Sequence, residues 1–232
     1  MSVATLDNSR SKMAVPLQNG AHGRLLRIPK TLTDFRRWAL SDEVPEKLPL
    51  AFINGEVYID MSKDDIGTHS LVKTECGRGL ANLNDETEFG HVFINGVLVT
   101  NEAAKVSNNP DLVAVSFKAL KAGRVHYVQR NGRIVEIEGA PDMVMEIVSD
   151  SSVVKDMEDL RDAYHRAGIR EYWLVDARGE EILFEILHWR KSGYRAASAS
   201  DGWQKSRVWN QLFQLTRKPD RAGVWKYKLA CH

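Results

Sequence analysis

Hydrophobic and polar positions follow two periods along this chain, and the periods sort it into strands and helices. "TLTDFRRWALSD" opens on a Thr/Asp cap signal and places Leu32, Phe35, Trp38 and Ala39 at helical spacing. "LPLAFINGEVYIDM" reads as two short strands turning at Asn54-Gly55, a dipeptide suited to tight hairpins. "DDIGTHSLVKTECGRGLANL" puts Leu71, Val72, Cys76 and Leu80 on one side, which predicts an amphipathic helix interrupted by Gly77 and Gly79. "HVFINGVLVTN" predicts another strand pair around Asn95-Gly96, and "GRVHYVQRNGRIVEIEG" a hairpin at Asn131-Gly132. Between them "NPDLVAVSF" is a short β-rich run.

The strand "DMVMEIVS" follows, then a helix from about Val153 to Ala167 with Met157, Leu160, Tyr164 and Ala167 inward and Gly168 as its stop. "REYWLVDA" and "EILFEILHWR" form a last hairpin, and Tyr172 and Trp173 are expected in the core. The pattern predicts a mixed sheet with a few helices, an α/β or α+β fold. Residues 1–23 are polar and weakly patterned, which predicts a flexible N-terminal segment; 24–195 form the principal domain and 196–232 a basic extension on or near the core.

The chain has 232 residues and a formal net charge of +1, but the charge is unevenly placed. From Arg190 to Lys228 ten basic residues face only Asp201 and Asp220, a net +8 that the rest of the chain balances. Such asymmetry suits a polyanionic partner, the alternative being a solvated basic tail. Cys76 and Cys231 are far apart and have no metal-type spacing. No run approaches the roughly 18 apolar residues of a membrane span, and the first residues lack a secretory signal's apolar stretch. A reducing, cytoplasmic setting without a membrane is expected.

The chemistry concentrates in "PDMVMEIVSDSS", Pro141 to Ser152. Alternation along a strand puts Asp142, Val144, Glu146 and Val148 on one face. Four residues separate the two acids by roughly 13 Å, too far to clasp one ion together. A partner for Glu146 has to come from a neighbouring strand, and Asp111 in "NPDLVAV" is the candidate. Strands about 4.8 Å apart let two carboxylates share a hard divalent cation. The competing readings are a turn cap for Asp111, an arginine pair for Glu146 and a strand-opening turn for Asp142.

"PDMVMEIVSDSSVVKD" followed by "YHRAGIREYWLVDAR" resembles the Uma-two family of restriction endonucleases, within the PD-(D/E)xK superfamily. The matching positions are Pro141, Asp142, Glu146, Ser149, Asp156, Tyr164, Glu171, Tyr172, Trp173 and Asp176, with "INGEVY", His69 and "PDLVAV" fitting upstream. The resemblance implies a restriction-endonuclease-like sheet flanked by helices, here with extra β-hairpins. It implies Asp111 and Glu146 as ligands of Mg2+, for which Mn2+ would substitute, and phosphodiester hydrolysis in DNA.

The chain departs from that pattern at the catalytic lysine. The superfamily position, two residues after the second acid, is Val148, and the position relatives use, four after the helix aspartate, is Leu160. Lys155 in the first helical turn is the preferred substitute, with Arg161 nearby; the alternative for Lys155 is plain surface. His69 either faces the acids or caps the helix after it, and capping is preferred. Two function classes follow: a magnesium-dependent endodeoxyribonuclease, or a decayed nuclease fold that only binds nucleic acid. Self-association as a homodimer through a sheet edge or the tail is plausible in either class.

Overall fold

The computed structural model describes residues 12–14, 25–45, 48–60 and 65–232. In chain order the elements are β1 (Lys12–Ala14), β2 (Leu25–Arg27), α1 (Leu32–Ala39), β3 (Leu50–Ile53) and β4 (Glu56–Ile59). A π-helical turn, Ile66–Ser70, then leads into α2 (Leu71–Thr87). There follow β5 (Gly90–Ile94), β6 (Leu98–Asn101), β7 (Val106–Asn108), β8 (Leu112–Ser116), α3 (Phe117–Lys121), β9 (Val125–Arg130), β10 (Arg133–Gly139) and β11 (Met143–Ile147). A second π-helical turn, Lys155–Asp159, opens α4 (Leu160–Arg166). The chain closes with β12 (Glu171–Asp176), β13 (Leu183–His188), β14 (Arg195–Ala196), β15 (Ala199–Ser200), β16 (Trp203–Lys205), β17 (Leu212–Pro219) and β18 (Trp225–Cys231).

These strands make a two-stranded ribbon, β1-β2, and three larger sheets. The central sheet runs β14-β13-β12-β11-β8-β5, a second β4-β3-β7-β6-β10-β9, and a C-terminal one β15-β16-β17-β18. Alternation on β11 decides the layering. Val144 and Val148 point with Val113, Tyr172 and Leu174 toward a core shared with Ala51, Val99 and Ile137 of the second sheet and with Leu160 and Tyr164 of α4. Met143, Met145 and Ile147 point the other way, with Trp173, onto Val72, Cys76 and Leu80 of α2 and onto Phe213 and Leu229 of the C-terminal sheet. Phe35 of α1 covers the outer face of the second sheet against Phe52 and Val57. β11 is thus buried on both faces, so a polar side chain on it meets other buried groups.

The mixed α+β architecture expected from the periodicity is present, and Tyr172 and Trp173 are both core. Thr31 caps α1 by accepting from the Asp34 amide at 3.1 Å. Asn54-Gly55 and Asn131-Gly132 turn tight antiparallel pairs, with positive φ at both residues of each turn.

Two expectations need correction. Asn95-Gly96 makes the turn but not the hairpin: β5 pairs with β8 and β6 with β7 and β10, so here the chain crosses between sheets. α2 is continuous through Gly77 and Gly79. A Cβ at Gly77 would lie 2.5 Å from Ile94 Cδ1 and one at Gly79 3.1 Å from Leu229 Cδ2, so glycine admits β5 and β18 against the helix. The expected basic extension is ordered from Ala199 as the C-terminal sheet, with Trp209, Phe213 and Tyr227 buried in the second core.

Candidate active site

β8 and β11 run antiparallel, with Met143 opposite Ala114, Val144 opposite Val113 and Met145 opposite Leu112. One step further along that register sets Glu146 opposite Asp111. The Ile147 amide donates to Asp111 Oδ2 at 2.8 Å, which fixes the aspartate across the strand. The Asp111 carbonyl accepts from the Asn95 amide at 2.9 Å, so the turn that fails to make a hairpin anchors this acid instead. Both acids line a cavity of about 500 Å3 with His69, Lys73, Lys155 and Asp156.

Glu146 is 3 % exposed. The Asn108 side-chain amide and the Tyr164 hydroxyl both donate to its Oε1, at 2.8 and 2.6 Å. Among the described residues no hydrogen bond reaches Oε2, so one carboxylate oxygen is held and the other is available. Burial drives the Glu146 carboxyl well above the usual range; the negative charges of Asp156 and Asp111 push the same way, and Lys155 and Tyr164 oppose them only in part. Asp111 behaves in the opposite sense. Burial pushes it up, but contact with His69 and the charge of Lys73 outweigh that and hold it below the usual range. The two facing acids therefore differ in proton affinity, the arrangement that separates acid and base roles in catalytic carboxyl pairs.

The positive charges come from the two helix entries. Lys73 Nζ stands 2.7 Å from Asp111 Oδ1, and His69 Nε2 3.5 Å from Asp111 Oδ2. His69 does not cap its helix; Asp65 does, accepting from the Thr68 amide at 2.5 Å. That overturns the capping preference for His69. Lys155 Nζ donates to Asp156 Oδ1 at 2.5 Å, and Asp156 also accepts from the Ser152 hydroxyl. Burial lowers the proton affinity of Lys155, yet the charges of Asp156 and Glu146 raise it further, so the ammonium stays charged. Each helix entry contains a π-helical turn, a local distortion frequent at functional sites.

Two expected site residues lie elsewhere. Asp142 is at the other end of β11, where Arg124 and Arg170 donate to Oδ1 and the Ser116 amide to Oδ2. It lines a separate cavity. Its role there is to neutralise two guanidinium groups at a strand start. Arg161 is half-buried on α4 and outside the cavity lining. Both family positions for lysine, Val148 and Leu160, are fully buried in the first core.

Lys73 and Asp156 are site residues that sequence reasoning did not assign. Lys73 had a legible signal, because it stands four residues after His69 and such pairs share a helix face. Asp156 was a matching position in the resemblance and follows Lys155 directly.

The sequence profile of a family described as Uma2, "Putative restriction endonuclease", matches residues 32–217. The chain belongs to the Uma2 family. No curated protein matches it. Among solved structures, the chain is similar to "a putative nuclease belonging to DUF820" from Anabaena variabilis, with a TM-score of 0.57 and 20% identity over 78% of this chain and 92% of that one. At that identity the likeness speaks for the fold, which is restriction-endonuclease-like. Among the described residues no helix is long and apolar enough to cross a membrane.

Proposed function

We propose that this Uma2 member is a magnesium-dependent endonuclease hydrolysing phosphodiester bonds in DNA, with Asp111 and Glu146 as the metal-binding pair. The observation that carries the reading is the facing pair itself, two buried acids with opposite proton affinities between Lys73 and Lys155. The donor set fits magnesium better than zinc. Among the described residues no three His, Cys, Asp or Glu side chains gather around one point. Magnesium needs no such cage, since it commonly takes one or two carboxylates and completes its shell with water and substrate phosphate. Glu146 Oε2, without a hydrogen bond among the described residues, is a fitting first ligand. Bound there, the ion would supply charge for the phosphate oxygens and a more acidic water.

The chain's own residues have four tasks in this reading. Asn108 and Tyr164 hold Glu146 in one orientation through Oε1. The Ile147 amide holds the Asp111 side chain against β11, and the Asn95 amide holds its backbone on the β5 side. Lys155, fixed by Asp156, places a permanent positive charge at the cavity wall and can stabilise negative charge developing on the phosphate. Lys73 keeps Asp111 ionised and is the second cation within reach of an anionic substrate.

The second reading, a decayed nuclease that only binds nucleic acid, draws on one specific feature. Lys73 and His69 already occupy the oxygens of Asp111. Nicking of a supercoiled plasmid separates the two readings. The nuclease reading expects relaxed circles with Mg2+ or Mn2+, none with chelator, and none from Glu146→Gln. No nicking by the wild type with either ion, from protein shown to be folded, would overturn it.

A further inference from the structure

The C-terminal hairpin carries a concentration of charge that the catalytic cavity does not use. On β17 and β18, Lys218 stands opposite Lys226 and Thr216 opposite Lys228. Lys226 and Lys228 alternate with Tyr227 and Leu229, which are buried in the second core. The three lysines therefore share the outward face. Arg78 of α2 joins them around a groove of about 580 Å3.

Like charges directly opposite each other on neighbouring strands are destabilising. Glu75, whose carboxylate also meets the charge of Lys226, relieves them only in part. Glu75 is the acid lining the groove, and its carboxylate already accepts from Arg78 at 2.7 and 2.9 Å and from the Leu229 amide at 3.0 Å. Among the described residues Lys218, Lys226 and Lys228 form no salt bridge. The hairpin that presents them is braced from its other side. Arg217 donates to the carbonyls of Ala177 and Glu180 at 2.7 Å each and lies 4.3 Å over the Trp225 ring. Repulsion retained on a braced surface suits a polyanion, which neutralises it on binding. The family profile matches up to residue 217, and Lys218, Lys226 and Lys228 lie outside the matched residues.

We infer that the groove between α2 and the β17–β18 hairpin binds the phosphate backbone of nucleic acid. It thereby holds the substrate along α2, the helix whose entry carries His69 and Lys73 at the catalytic cavity. Arg78 follows Lys73 by five residues, about 7.5 Å along the helix axis and about 140° around it, so the groove and the cavity meet different sides of one helix. The concave form of the site favours a rod-like polyanion over a flat anionic membrane. Delivery to the cavity rests on the nuclease reading; binding at the groove does not.

The test is fluorescence anisotropy of a labelled DNA duplex with the full chain in chelator, where no cleavage can occur. The combined variant Lys218→Gln, Lys226→Gln, Lys228→Gln should bind about tenfold or more weakly at about 0.1 M salt. Its plot of log affinity against log salt should be shallower by about 2 to 3, roughly one unit for each phosphate that the variant leaves unneutralised. Lysine-to-arginine replacement at the same positions should retain affinity. Unchanged affinity and slope in the glutamine variant would overturn the inference. So would wild-type binding to anionic vesicles with none to the duplex. Salt-sensitive binding that disappears in the glutamine variant, from a wild type that nicks nothing, would sink the nuclease reading and leave this one standing.

Discussion

The two ends of β11 carry acids on the same strand face, four residues apart, and the protein treats them in opposite ways. Asp142 is 1 % exposed and its charge is met by two guanidinium groups and a backbone amide. Glu146 is 3 % exposed and receives two neutral donors on one oxygen; burial first, then the charges of Asp156 and Asp111, push its proton affinity up against the charge of Lys155. Burial alone is therefore a poor guide to function. What separates the ends is compensation: a buried acid with its partners in place is structural, whereas one left short of positive charge needs a proton or a cation from outside.

Exchanging the acids at each end should break the molecule differently. Asp111→Asn and Glu146→Gln should lower plasmid nicking by on the order of a thousandfold or more, as for loss of a metal ligand with its charge stabilisation. Asp142→Asn should keep metal affinity but lose about 2 kcal/mol of stability in urea unfolding, because the partly exposed Arg124 and Arg170 lose their charged hydrogen-bond partner. The comparison fails if Asp142→Asn lowers metal binding as much as Glu146→Gln does.

A smaller effect is expected at the cations. Lys155→Ala should reduce nicking about a hundredfold with little change in metal affinity, as for removal of one electrostatic stabiliser. Lys155→Arg should recover only part, since a planar fork places its charge differently. Full activity in Lys155→Ala would transfer the role to Lys73, the other ammonium lining the cavity.

How far this contrast was legible in the sequence follows from the range of each interaction. Glu146 stood out because apolar residues surround it on a strand, and the same period divided the two cores. The 13 Å rise between Asp142 and Glu146, roughly four strand residues, already forbade a shared ion. What the pattern could not supply was the environment of Asp142, whose partners Arg124 and Arg170 are 18 and 28 residues away in sequence. Asn95-Gly96 shows a second limit. The dipeptide encodes positive φ and a tight turn, but which strands pair across it depends on the sheet each side can reach. The π-helical turns at Ile66–Ser70 and Lys155–Asp159 left no mark in the hydrophobic period, so His69 was read as a cap. The lysine positions Val148 and Leu160 were apolar in sequence and are core in the fold, so local patterning and tertiary structure agree there.

The smallest effect concerns pH. The folded state holds the Glu146 proton above the usual carboxylate range, so its contribution to stability is full below about pH 4 and fades as pH rises through the elevated value. Glu146→Gln cannot ionise. Without metal it should match wild type near pH 4 and become more stable by about 1 to 2 kcal/mol toward pH 8. A stability difference that does not grow with pH would show that Glu146 is not short of positive charge.

The most direct measurement is a calorimetric titration of Mn2+ into the metal-free wild type and into Asp111→Asn, Glu146→Gln and Asp142→Asn, each first shown to be folded. Saturable binding is expected to the wild type and to Asp142→Asn, with heat that varies with buffer because Glu146 releases a proton. No binding is expected to the other two. Binding that persists in Glu146→Gln and vanishes in Asp142→Asn would contradict this expectation and place the metal at the opposite end of the strand.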